Sequence, residues 1–342
     1  MIICMFVLTA CVAPAEEGEI KQVNGDVFTI GLLATLTGPA AVHGTHVVLG
    51  AEKAVEELNA NGINVKLVVE DNQNDPKVAL NAYQKLLLSD PDVIFTTMSG
   101  ASAAIIPLAQ EAGIPVVTSL TYADFREYNH VYQYFQTTED LTEIASAFFV
   151  EENIERVGLL ARNIEAGHAL MDVAQKKFVE EGIEIVGLEY YESGDVRTPI
   201  MKLVEKGVDA FYVFDLRPDK VVDQIKEQYD GVVVFTDTPV ATNLHKTYPG
   251  FEGVYAAAQQ YMISGTDEHD QFESLFVDAN AEAGMGYDVV HLIFEAHALG
   301  EFPESIISLE TFSGLNGAVD LSSSRKPSIP IQMVLIEGGE LV

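Results

Sequence analysis

Residues 92–119, DVIFTTMSGASAAIIPLAQEAGIPVVTS, decide how the chain folds. Val93 to Phe95 form a short apolar run suited to a strand covered on both faces, and Gly113-Ile114-Pro115 stops the following helix before Val116-Val117 resume. Strand, polar turn, helix and strand in that order make a βαβ unit of a parallel sheet. Ser99-Gly100-Ala101-Ser102 lies beyond the carboxyl end of the first strand. Open α/β sheets bind ligands there, and a helix N-terminus offers unpaired N–H groups to an anion. Ser99 is thus a candidate for gripping a ligand's carboxylate, with simple capping of the helix as the alternative.

The pattern extends in both directions. Residues 27–34, VFTIGLLA, read as a buried strand, and Val47, Val48, Ala51, Ala54, Val55 and Leu58 share one face of a helix over 44–61. Asn61-Gly62 closes that helix, 65–70 form a second strand, and Asp75-Pro76 opens a helix whose inward face is Ala79, Ala82, Tyr83, Leu86 and Leu87. After 131–137 the plan restarts, with helices over 144–153, 169–181 and 219–228 and buried runs at 157–161, 185–190, 208–214, 232–235 and 254–261. A helix over 287–298 returns to the first half. The expected fold is α/β, with two doubly wound Rossmann-like lobes and a cleft at their junction.

A formal charge of −33 over 342 residues repels phosphate backbones and anionic head groups, which argues against nucleic-acid binding. The acidic residues are spread along the chain, as on a solvated surface. Cys4 and Cys11 are the only cysteines, so no disulfide framework staples the body. Leu8-Thr9-Ala10-Cys11 resembles a lipobox, which makes 1–11 a lipoprotein signal and Cys11 the lipidated residue. The run lacks a basic start, and an ordinary signal peptide is the other reading. Residues 12–26 read as a flexible tether, and nothing later offers ~18 uninterrupted apolar residues.

The pieces IGLLATLTGP at 30–39, GAEKAVEELNANG at 50–62, VVEDNQNDPKVA at 68–79, SGASAAIIPLAQEAGIPVV at 99–117, GYDVVHLIFEA at 286–296 and TFSGLNGAVDL at 311–321 carry a resemblance. In order and spacing, the chain resembles the type I periplasmic binding proteins, in particular the leucine/isoleucine/valine-binding branch that feeds ABC importers. The resemblance implies an N-terminal lobe of 27–138 plus 261–320, a C-terminal lobe of 139–260 plus 321–342, three hinge crossovers, and a small ligand between the lobes. It matches Ser99 to a serine that holds the ligand carboxylate and places Ala101 where a backbone group reaches it. Thr121, or Tyr122 in an ungapped match, stands for a threonine of the next loop, with turn capping as the alternative. Asp237 stands for the acid that takes the α-ammonium, unless it only caps the turn before Pro239. Asp215 and Leu216 reach the same cleft edge, and Asp140 sits near the first crossover.

Two positions depart from the pattern. Ala166 stands where a tyrosine is common in the family, which implies a wider or more polar pocket, and His43 replaces an aromatic before Gly44. His43 is open to stacking, hydrogen bonding or a plain helix start; as a metal site with His46 it lacks a visible third ligand.

Walker A, GxGxxG after a strand, HExxH and GxSxG are absent, and Ser99 has no base beside it in sequence. The expectation is a binding protein without cofactor or metal, partnered by an ABC permease and anchored outside the cytoplasmic membrane. A ligand-sensing receptor or amide/urea-type sensor is the alternative, and a hydrolase the remoter one.

Overall fold

Alternating apolar strands and amphipathic helices build one parallel sheet and one mixed, mainly parallel sheet, each covered on both faces. The computed structural model describes residues 27–192, 194–300, 304–322 and 324–342; Cys11, the signal and the tether lie outside the described residues. The first lobe runs β1 (Phe28–Ala34), α1 (Ala41–Ala60), β2 (Val65–Asp71), α2 (Pro76–Leu86), β3 (Val93–Thr97), α3 (Ser99–Ala112), β4 (Val116–Ser119) and β5 (Val131–Gln133). Its sheet order is β2-β1-β3-β4-β5, parallel throughout.

The chain then crosses into α4 (Thr138–Glu151), β6 (Arg156–Arg162), α5 (Glu165–Glu180), β7 (Glu184–Tyr191), α6 (Arg197–Val204), β8 (Ala210–Phe214), α7 (Val222–Lys226) and β9 (Val232–Phe235). Two short helices, α8 (Thr238–Ala241) and α9 (Leu244–Thr247), precede β10 (Tyr255–Gln259) and α10 (Asp267–Leu275). After α11 (Ala281–Leu299), α12 (Glu304–Ser308) and the hairpin β11 (Thr311–Gly314) and β12 (Gly317–Asp320), the chain crosses again to β13 (Ile331–Glu337) and β14 (Glu340–Leu341). The second sheet reads β14-β13-β10-β9-β8-β6-β7, with β13 antiparallel to β10.

Side chains alternate across each sheet as the period of a strand requires. In β1, Ile30 and Leu32 face α1 and α11, whereas Leu33 faces the core formed with α2 and α3. In the second lobe, Leu159 packs with α4 and α5, and Leu160 with the core on the opposite face. Each fully buried aliphatic or aromatic side chain contributes ~1.5–3 kcal/mol.

Phe272 and Phe276 join the second lobe's core. By packing, the chain leaves the second core along the start of α11, and Leu321 and Ile329 still belong to the first core, while Leu315 reaches back into the second. Helix α11 straddles both lobes, with Ala281 and Ala283 in the second core and Met285, Val289 and Ile293 in the first. It meets α1 backbone to backbone, since a Cβ at Gly50 would overlap the Ala283 carbonyl and one at Gly286 the Val47 carbonyl. Among the described residues no helix is long and apolar enough to cross a membrane.

Candidate functional site

The carboxyl ends of β3 and β4 in one lobe and of β8 and β9 in the other converge on a cleft. Asn74, Met98 and Leu120 border it with φ of 52°, 72° and 52°, a left-handed region uncommon for residues with side chains. Backbone strain of this kind gathers where a site must be shaped. A cavity of about 90 Å³ lies against the crossovers, touching Phe135 and Gln136 from the first and Gln259 near the second. A larger one of about 480 Å³ adjoins it and shares Ala40, His43, Asn74 and Leu216.

The acidic wall is formed by two buried carboxylates, Asp237 and Glu282. Asp237, which follows β9, is 4% exposed and accepts hydrogen bonds from the Tyr122 hydroxyl at 3.3 Å and from the Gln136 amide. Its side chain caps no backbone N–H of α8, so it is not spent on the turn before Pro239. Burial, and next the charge of Glu282, push the Asp237 carboxyl up to about 6. Glu282, in the first turn of α11, is 2% exposed. One oxygen, Oε1, lies 2.6 Å from His43 Nδ1; the other, Oε2, has no partner among the described residues. Burial alone would lower the pKa of His43, but the hydrogen bond and charge of Glu282, with Asp237 beyond, raise it above 6.5.

The hydroxyl wall stands beside it. Ser99 opens α3 without acting as its cap, since the cap position is Met98 and no side chain caps there. Its Oγ lies 2.9 Å from Thr121 Oγ1, which also accepts from the backbone N–H of Ala123. Ala101 is fully buried in the core behind the helix start. Neither Ser99, Ala101 nor Thr121 lines either cavity, but their chain neighbours Met98, Leu120 and Tyr122 line the smaller one. The two candidates of the loop after β4 thus divide the work: Thr121 meets Ser99, and Tyr122 reaches across to Asp237.

The other candidates part company. Asp215, 1% exposed, lines the larger cavity and accepts from the Tyr191 hydroxyl at 2.6 Å and the Arg217 N–H at 2.7 Å, with Arg162 3.6 Å away. Leu216 lines both cavities. Asp140 does not face them. Its carboxylate closes a capping box with Thr137 at the start of α4 and accepts from Ser328 at 2.6 Å, tying the first crossover to the third. Ala166 is likewise off the cavities, packed in the first turn of α5 against the second lobe's core, while Ile164 takes the lining position. His46 turns its Nδ1 to the Val42 carbonyl, and among the described residues no three His, Cys, Asp or Glu side chains are grouped to hold a metal ion.

Glu282, Gln136 and Met285 line the smaller cavity without having stood out in the sequence. Among the described residues no lysine or arginine lines it, whereas Arg162 and Arg217 line the larger cavity beside it.

A family model described as periplasmic binding protein matches residues 27–298. The Leu/Ile/Val-binding protein homolog 2 of Brucella abortus is 25% identical over 331 residues, covering 90% of this chain and 84% of that protein. Leu/Ile/Val-binding protein BraC3 of Rhizobium johnstonii is 35% identical over 96 residues, 27% of this chain and 26% of that relative. Among solved structures, the branched-chain amino acid binding protein LivJ of Streptococcus pneumoniae, in complex with isoleucine, superposes with a TM-score of 0.79 at 21% identity, covering 92% of this chain and 98% of that one. A solute-binding protein of an ABC transporter from Rhodopseudomonas palustris BisB5, in complex with 3,4-dihydroxybenzoic acid, does so with a TM-score of 0.80 at 20% identity, covering 92% and 95%. These structural likenesses establish the fold.

Proposed function

The chain belongs to the periplasmic binding protein family, and we propose that it captures a small amino acid or related polar solute between its lobes and delivers it to an ABC permease. In this reading it works outside the cytoplasm, held to the membrane by a lipid on Cys11. The single observation that carries the ligand class is Asp237, a buried carboxylate at the end of β9, facing a cavity with no lysine or arginine in its lining among the described residues. A carboxylate placed there favours a protonated amine, through charge-assisted hydrogen bonds of ~1.5–3 kcal/mol, and disfavours an amine-free acid.

Ser99 and Thr121, hydrogen-bonded to each other just behind the lining residues Met98, Leu120 and Tyr122, are the groups assigned to the opposite, anionic end of the solute, which has to part that bond to reach them. Helix N–H groups add to their pull. Binding draws the lobes together because the solute touches both walls only in the closed form; equal affinity for the open form would shift nothing.

A thermal-shift panel of amino acids, amides, urea and small carboxylates tests this, since stabilisation follows occupancy. Amine-bearing members are expected to stabilise the protein, and Ser99→Ala and Asp237→Ala to abolish the effect. Stabilisation confined to ligands without an amine, or unchanged in both variants, overturns the assignment.

A further inference from the structure

We propose that Glu282 is a second ligand-binding acid beside Asp237, and that the captured solute carries a net positive charge, as a basic amino acid or a short diamine does. The inference rests on the reading of the cleft as a solute site and sharpens it to a charge class.

Charge counting carries the argument. The smaller cavity is bordered by two carboxylates and one imidazole, with no lysine or arginine among the described residues. With both carboxylates ionised, the three groups sum to one negative charge when His43 is protonated and to two when it is neutral; Arg162, Asp215 and Arg217 line only the adjoining larger cavity. A zwitterion adds nothing to that sum and leaves a net charge in a desolvated site, which is costly. A solute with one surplus positive charge offsets it.

Geometry says where that charge goes. His43 engages only Oε1 of Glu282. Oε2 is buried, without a donor among the described residues, on a side chain that borders the cavity. Buried carboxylate oxygens are rarely left unmade, and an unmatched one calls for an explanation. Of the neutral donors bordering the cavity, Tyr122 and Gln136 are engaged by Asp237, and the buried Gln259 amide, though itself without a partner among the described residues, makes no hydrogen bond to Glu282. A protonated nitrogen of the solute is the missing donor. The rest of the wall suits the carbon stem of such a molecule: Met98, Leu120 and Met285 are apolar, and the Tyr122 and Phe135 rings, 5.2 Å apart edge to face, attract a cation.

The test is calorimetric titration of the whole mature chain with shape-matched probes: L-lysine against L-norleucine, and 1,4-diaminobutane against benzoate. Lysine is expected to bind at least tenfold more tightly than norleucine, which lacks only the terminal ammonium. Glu282→Gln is expected to lose about 10- to 100-fold for the cationic probes, the worth of one charge-assisted bond, and little for norleucine. The wild-type selectivity needs no variant, so a poorly folding Glu282→Gln does not void the test. Norleucine equal to or tighter than lysine overturns the net-charge assignment; if its binding is then lost in Asp237→Asn, amino-acid capture stands without the cation. Binding of benzoate alone overturns both, as does no binding of any probe.

Discussion

Replacing Asp237 by asparagine is expected to make the free protein more stable while destroying its site. The aspartate titrates at about 6 in the fold against 3.8 as its ordinary value, because burial and the charge of Glu282 oppose ionisation. Between those values the folded chain holds more proton than the unfolded one. The stability tied to Asp237 is therefore fully present below about pH 4 and lost as pH rises through about 6. At about 1.4 kcal/mol per pH unit, the ionised carboxylate costs about 3 kcal/mol at pH 8. Asparagine removes that cost. It also keeps only one acceptor oxygen for Tyr122 and Gln136, which gives back about 1 kcal/mol. The net gain is about 2 kcal/mol, or about 4 °C in Tm. By pH 4.5 the carboxylate's cost has fallen to about 1 kcal/mol and the gain cancels. Scanning calorimetry of wild type and Asp237→Asn at pH 8 and pH 4.5, without ligand, reads both. A variant less stable than wild type at pH 8, or a gap that ignores pH, refutes the charge-burial reasoning.

Other outcomes are open to equally direct measurement. Asp288, held up to about 7 chiefly by burial and receiving the Leu315 N–H, has the same sign, so Asp288→Asn should raise Tm at pH 8 and lose that advantage toward pH 4. Tyr122→Phe removes the hydroxyl that spans the lobes to Asp237; small-angle scattering should find the ligand-free chain more open, with about 1 kcal/mol less closed-state preference. Asp140→Ala breaks the capping box and the tie to Ser328 and should cost ~1–2 kcal/mol in urea unfolding with ligand affinity within a few-fold of wild type. Gly50→Val pushes a side chain into the Ala283 carbonyl and should lower stability by ~3 kcal/mol or more, or prevent folding.

Strand and helix order was readable because burial on both faces leaves continuous apolar runs, and Gly62, Gly113 and Gly182, each with positive φ, mark helix ends without ambiguity. The acid after β9 was reached through the family resemblance and not through any local pattern, and the structure buries it at the edge of the cleft. Glu282 was reached by neither. A glutamate in the first turn of a helix reads as ordinary complement to the helix dipole. That it enters the cleft depends on α11 passing from one lobe to the other, which no local pattern records. Asp140 illustrates the converse. Thr137-x-x-Asp140 is itself a capping signal, and the local reading accounts for its carboxylate better than nearness to a crossover.

Because α11 touches α1 through bare backbone at Gly50 and Gly286, the two helices have no room to slide, and the helix is a fulcrum. In the proposed capture, Glu282 stays with α11 and α1 while Asp237 moves with the second sheet. The spacing of the two acids, and so the strength of their mutual push, is thereby geared to the angle of the joint. On the proposed function, the push between the two acids opposes closure until a counter-charge arrives between them.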